Sequence, residues 1–554
     1  MKSMRRLLLL PACLAAAAAV AATAASAHRA ASTTLVFGTE ADPALLDPSL
    51  VSDGPSIRVA DQIFDSLVAE KPGGTAIVPG LATKWKASKN GLTWTFYLRS
   101  GVRFSDGTNL DSSAVCFNFN RWFNFPAPLQ SDALSYYWNT VFGGFRNPAP
   151  GNPGPDKSLY KGCKPQSKYV VSLLLTRPSS SFLAAMATPM FGIASPTALK
   201  KYNADAGTVD ATGVFHPTGT FATQHPVGSG PFMLKSWTVG SKLELVPNPY
   251  YWGPKPTLKR LVFVPIGDTA ARLQAFQSGE LQGFDGVDPA DFATISGNKQ
   301  YKLMKRAPFS VGYIGINQSK PPMNNPLVRQ ALAYAIDRRA VATFYQGTGT
   351  PANQFLPPAL FGFAKKGVPT YTYNPTKAKQ LLQKAGLTLP VKVDFWYPTN
   401  VSRPYMPDPQ RNFQAFQASL DQSGFNVVAH SAPWRPDYRA GVQAGNDQLF
   451  LFGWIADWAD PENFLNVHFG SQTDQFGFSN PSLFSLLAKA DAEPNYEKRV
   501  ALYQQASVQV MKFLPVIPYV WAGSAVAFDA NVKGFVPAPT GTVNERFSRV
   551  TIGS

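Results

Sequence analysis

A hydrophobic core stops growing at roughly 250–300 residues, and a longer chain divides into separately packed units. This one runs to 554 residues. It has no fixed-period repeat through which stacked copies would share an extended core, and after Ala27 no stretch supplies the roughly 20 apolar residues of a membrane span. With 45% hydrophobic and 15% charged residues, its composition is that of a globular chain and not of a disordered one. Two or three packed lobes are therefore expected.

The N-terminus, MKSMRRLLLLPACLAAAAAVAATAASA, sets Lys2, Arg5 and Arg6 before a Leu/Ala run and closes on Ala25-Ser26-Ala27, the small-x-small pattern of a secretory cleavage site. A mature chain beginning near His28, exported to the periplasm or cell surface, is the expectation. A rival reading makes Cys13 a lipid-modified N-terminus, but Pro11 is a poor residue there and the apolar run continues past the cysteine. The two remaining cysteines, Cys116 and Cys163, favour a disulfide over buried free thiols in an exported chain. The net charge of +17 comes from scattered basic residues, the densest groups being pairs such as Lys365-Lys366 and Arg338-Arg339, so no nucleic-acid stripe stands out.

Local patterns alternate between strand and helix. TTLVFG reads as a strand. VADQIFDSLVAE has helical apolar spacing at Val59, Ile63, Phe64 and Leu67, and GLTWTFYLRSGVRFSDG reads as two short alternating strands turning at Gly101. Asp111 caps a predicted helix SSAVCFNFNRWF, and Asp268 caps another, TAARLQAFQSG, ending at Gly279. Asn325-Pro326 and Asn374-Pro375 each combine a cap with proline at the first helical position. Between Asn124 and Cys163 proline and glycine give a loop-like composition, and GTVDATGVFHPTGTFATQHP is a second irregular stretch.

Enzyme classes lack their residues. The five histidines show no HExxH spacing, no G-x-S-x-G elbow exposes a nucleophile, and no G-x-x-x-x-G-K loop cradles phosphate. His225, His430 and His468 read as structural. The strongest competing class is a secreted carbohydrate-active enzyme, since 11 tryptophans and 20 tyrosines offer sugar-stacking surfaces and paired acids cleave glycosides. Against it, Asp457 and Asp460 lie too close in sequence to straddle a sugar.

Those two acids belong to GWIADWADPENFL, residues 453 to 465, where carboxylates sit beside Trp454 and Trp458. A carboxylate among apolar rings is a surface group, a structural cap or a docking post for a cation, because burying it alone costs several kcal/mol. Asp460, followed by Pro461, Glu462 and Asn463, reads as a helix cap.

Taken in order, GTEADPALLDP, LATKWKASKNGLTWTFYLRSGVRFSDGTNLDSSAVCFNFNRW, VGSGPF, NPYYWG, RLQAFQSGEL, NPLVRQALAYAIDRRA and GWIADWADPENFL resemble the family 5 extracytoplasmic solute-binding proteins, receptors of ABC importers for oligopeptides, dipeptides and, in some members, nickel chelates. The resemblance implies an α/β, two-lobed periplasmic-binding-protein-like fold of type II, of the large cluster C kind, with an extra subdomain inserted in lobe I. Lobe I would span 34–306 with the insertion at about 67–223, lobe II 307–517, and 518–554 would return to lobe I. It further implies a monomeric binding protein without cofactor or bound metal, closing on di- or oligopeptides and delivering them to permease subunits with cytoplasmic ATPases. Asp457, the acid after Gly-Trp-x-x, would hold the ligand α-ammonium, with the backbone at Gly453 pairing an extended peptide and Trp454 and Trp458 as candidate walls. Arg403, in NVSRPY, is the candidate for a ligand carboxylate. An oligosaccharide or a nickel chelate on the same fold is the alternative ligand.

Overall fold

The computed structural model describes residues 33–131, 133–210, 214–541 and 543–553. The export segment, Cys13 and His28 lie outside the described residues. Among those described, no helix is long and apolar enough to cross a membrane.

Two mixed sheets organise the chain. The first has seven strands in the order Phe232–Thr238, Lys242–Pro247, Arg260–Pro265, Thr34–Thr39, Gly283–Asp285, Ala525–Asp529 and Tyr301–Lys305. The second has six, in the order Gly349–Pro351, Val516–Ala522, Ser310–Ile316, Leu449–Ile455, Val391–Thr399 and Phe425–Pro433. Their inner strands are apolar runs, not alternating ones: every residue of SVGYIGI (Ser310–Ile316) and VIPYVWA (Val516–Ala522) is buried, as expected where both faces of a sheet are covered. A smaller four-stranded antiparallel sheet, ordered Ala82–Ala87, Thr93–Leu98, Val170–Leu175 and Tyr160–Ser167, falls within the stretch expected as the inserted subdomain. Cys116, on helix Ser112–Phe123, is disulfide-bonded to Cys163 on the edge strand of this sheet, Cα atoms 5.2 Å apart.

The local capping signals are realised. Asp111 accepts from the Ser113 and Ala114 amides, Asp268 from Ala271, Asn325 from Leu327 and Asn374 from Lys377, in each case satisfying donors that a helix start leaves orphaned. Two readings need correction. The helix beginning at Gly54 stops at Ile63, and Val68–Glu70 is a strand paired with Ile77–Pro79. VRFSDG does not form a second strand; it turns back through an isolated bridge between Arg103 and Asn109.

The chain changes sheet twice, at residues 306–309 and at residues 523–524. The return expected at 518 therefore falls inside a strand of the second sheet. The two crossings lie side by side. The Arg306 amide donates to Ser524 O at 2.9 Å, and a Cβ on Gly523 would collide with the Arg306 carbonyl. The Arg306 guanidinium is buried against Asp285 and Glu545, and Arg58 pairs with the same two acids, so two cations and two anions close a neutral cluster beside the crossings. Burial pushes the Asp285 carboxyl up, but Arg306 and Arg58 outweigh it and hold it well below the usual carboxylate range.

Candidate ligand-binding site

The strand Leu449–Ile455 runs through the middle of the second sheet, antiparallel to Ser310–Ile316 and parallel to Val391–Thr399. Gly453 sits opposite Gly312, and a Cβ at 453 would fall inside the Tyr405 ring, so the glycine lets that ring lie flat on the strand. Past Ile455 the chain reaches the other lobe. The Asp457 carboxylate accepts from the Tyr137 hydroxyl at 2.8 Å and from Asn463 Nδ2 at 3.3 Å. Tyr137 lies on helix Tyr136–Val141 of the inserted subdomain, so this contact joins the two lobes. Asn463 Oδ1 in turn accepts from the Asp457 amide at 2.9 Å and from Trp454 Nε1 at 3.2 Å, fixing the loop on its own side.

Among the described residues no ion pair reaches Asp457. Burial pushes its carboxyl up to about 6, against the two hydrogen bonds that favour the charged form. Burial, then the neighbouring Asp457, carry the Tyr137 phenol well above its ordinary 10, so it is a donor.

Asp460 is structural. It accepts from the Glu462 amide at 2.9 Å, at the start of helix Glu462–Phe469, and pairs with buried Arg499 at 2.6 Å. Trp458 corrects the expectation of a ligand wall. It is 1% exposed, packs into the apolar core of the inserted subdomain, and donates Nε1 to Glu462 at 3.2 Å, leaving no face for a ligand. The indole is a plug by which a lobe II loop enters lobe I. A second seam lies at helix Pro481–Ala492, whose end carbonyls at Asp491 and Glu493 accept from the Ser180 amide at 3.0 Å and hydroxyl at 2.7 Å.

Arg403 lies on the loop after strand Val391–Thr399, its guanidinium carbon 5.5 Å from the centre of the Trp434 ring, with Arg439 at 6.0 Å from the same ring. The loop is anchored at Tyr405, whose carbonyl accepts from the Tyr345 and Tyr519 hydroxyls, both at 2.7 Å. The histidines serve packing. His225 stacks on Tyr202 at 4.0 Å, and His430 stacks on Trp396 while meeting Asp394 at 3.1 Å. His468 is held against Phe464 O at 2.8 Å, its pKa lowered to about 4 by burial.

The sequence matches the profile of the bacterial extracellular solute-binding proteins, family 5, over residues 76–476. The chain belongs to this family. It is 32% identical over 537 residues to a dipeptide-binding protein of Escherichia coli K12, covering 94% of each chain. It is also 30% identical to heme-binding protein A of Haemophilus influenzae, covering 92% of this chain and 91% of that one. Among solved structures, the periplasmic binding protein DppA of Helicobacter pylori in complex with the peptide STSA superposes with a TM-score of 0.77 at 28% identity, covering 94% of this chain and 98% of that one. A dipeptide-binding protein of a Pseudoalteromonas species in complex with Met-Leu gives 0.77 at 27% identity, covering 94% and 100%.

As a family 5 solute-binding protein, the molecule is a two-lobed receptor and not an enzyme. The carbohydrate-cleaving alternative also loses its second acid, since Asp460 is taken up by Arg499. Two residues of the site escaped sequence reasoning. Asn463 was in view within DPENFL but read only as part of a cap. Tyr137 sits in the proline- and glycine-rich stretch taken for loop, where the run Tyr136-Tyr137-Trp138 was the available signal of a packed element.

Proposed function

We propose that this solute-binding protein captures short peptides by their α-ammonium at Asp457 and hands them to an ABC permease from outside the cytoplasmic membrane. One observation carries the reading: a half-buried carboxylate where the lobes meet, held by two uncharged donors, Tyr137 and Asn463, and by no ion pair among the described residues. Such a group is stabilised when a charge-assisted hydrogen bond from a cation completes it. An ammonium there is gripped from both lobes, so it binds the closed state more tightly than the open one, which is the condition for ligand-driven closure. A dicarboxylate such as haem would instead meet repulsion.

Arg403 is the proposed partner of the ligand carboxylate. Tyr405, two residues on, lies against Gly453, four residues before Asp457, so two short legs of chain, at most about 7 Å and about 14 Å long, join the two ends of the site. That reach suits peptides of a few residues, with the strand at Gly453 and Trp454 as the proposed partner for main-chain pairing and half-buried Trp454 as a side-chain wall.

Calorimetry of di- and tripeptides with free and N-acetylated termini tests this. Asp457→Asn should weaken the free-amine peptides at least about tenfold, the scale of one charge-assisted bond, and leave the acetylated ones nearly unchanged. Equal losses for both would remove the ammonium role.

A further inference from the structure

Along the sequence the basic residues are scattered, but strand pairing gathers some of them. Residues 82–105 and 157–204 contain no aspartate or glutamate, and they supply all four strands of the smaller antiparallel sheet. One face of that sheet is apolar: Phe96, Val171 and Leu173 are buried, and Cys163 is bonded from it to Cys116 on helix Ser112–Phe123. The pleat turns the intervening residues the other way. Lys86, Thr95, Ser172 and Lys164 stand in one register row across the four strands, and Lys84 is paired with Tyr97 beside it. Side-chain contacts follow the register. Thr95 Oγ1 and Ser172 Oγ are hydrogen-bonded at 3.0 Å, Gln166 Nε2 donates to Ser172 Oγ at 3.4 Å, and Lys84 Nζ lies 4.4 Å from the centre of the Tyr97 ring.

Lys84, Lys86 and Lys164 are exposed, as are Lys89 and Lys168 in the hairpin turns at opposite ends of the sheet. Among the described residues none of these five lysines pairs with an acid. The edge of the seven-stranded sheet is different, since Lys235 and Arg260 both pair there with Glu244. Uncompensated cations on one face add to a single positive potential. We propose that this face docks on an anionic phospholipid leaflet, laying the four-stranded sheet against the membrane surface.

The chemistry selects an extended surface over a single anion. Lysine ammoniums are point charges on flexible stems, without the rigid fork by which arginine grips one phosphate or carboxylate. Standing on separate strands, they can each meet a different headgroup, and half-buried Tyr97 among them carries the amphipathic ring that settles at headgroup level. Lysines on edge strands also discourage pairing between molecules, but that role asks nothing of the turns or of the missing acids. Which membrane is met rests on the export and permease delivery proposed above; lipid binding itself does not.

The test is co-sedimentation of the chain after Ala27, which leaves out the basic and apolar N-terminus, with vesicles of mixed phosphatidylglycerol and phosphatidylcholine. Vesicles of phosphatidylcholine alone run beside them, and inorganic phosphate serves as competitor. Expected is binding to the mixed vesicles only, undisturbed by phosphate at equal ionic strength and lost at roughly 1 M salt, where the screening length falls to about 3 Å. Each lysine near such a surface is worth about fivefold in partitioning, so Lys84→Glu, Lys86→Glu and Lys164→Glu combined should lower binding at least about a hundredfold. Lys377→Glu, Lys379→Glu and Lys384→Glu combined, at exposed positions of helix Pro375–Lys384, change the net charge equally and should lower it far less. Equal losses in the two triple variants would reduce the effect to net charge and overturn the proposal. Equal binding to both vesicle types, or displacement by phosphate, would overturn it too. Lysine acetylation of the unaltered chain, read by mass spectrometry, covers the case of a variant that folds poorly. Mixed vesicles should protect Lys84, Lys86 and Lys164 and leave Lys377 and Lys379 reactive; protection without that contrast refutes the docking face. No peptide enters either experiment, so failure here leaves the Asp457 reading untouched.

Discussion

At the level of single residues, the proposed ammonium contact at Asp457 ties peptide binding to one proton. Below its pKa of about 6 the carboxyl must lose a proton before it can accept an ammonium. Peptide Kd should therefore be flat above that pH and rise by about tenfold per pH unit below it, whereas in Asp457→Asn the slope should vanish; titrations across acid and neutral buffers read this directly. As a candidate this acid was legible, because the flanking motif is local. Its donor was not. Tyr137 reaches Asp457 across 320 residues of sequence, and nothing in a one-dimensional pattern pairs a helix in the inserted subdomain with a loop of the other lobe.

Among the elements, those that begin with a side chain bonded to its own backbone were readable in advance. Asp111, Asp268, Asn325 and Asn374 each announce a helix within three residues, so their signals survive without tertiary context. Val68–Glu70 was misread as helix because Leu67-Val68-Ala69 suits either state, and only pairing with Ile77–Pro79 decides it. The loop after strand Leu449–Ile455 shows the same dependence: Trp458 looked like a ligand wall in sequence, yet it packs where the opposite lobe needs volume. Trp458→Ala should leave a void in the inserted subdomain and cost about 3–5 kcal/mol. Denaturant melts should show the loss, and small-angle scattering should show a shift toward more extended particles, because the plug also holds the lobes together. A melt unchanged from the parent would mean the indole carries no packing load.

For the molecule as a whole, several buried acids act in the same direction. Burial raises Asp61 and Asp457 to about 6 and Glu70 and Asp447 to about 7. Each keeps its proton in the folded chain at a pH where the unfolded chain has already lost it, so folded stability falls as pH rises from about 4 to about 7. Asp285, held low by Arg306 and Arg58, works in the opposite sense, and its contribution is lost only in far stronger acid. The melting temperature should accordingly be higher near pH 5 than near pH 8, and a saturating peptide should narrow the gap by drawing the Asp457 proton off. Melting curves with equal midpoints at both values would show that these acids are hydrated in solution.

The neighbouring crossings set the geometry of any motion. With no room for even a methyl group at Gly523 beside the Arg306 carbonyl, and with Ser524 bonded across, the two connections behave as one axle. Swivelling about that axle is the relative movement this geometry favours over sliding. A bulkier residue at 523 would split that axle into two loose tethers, and the swing would lose its aim.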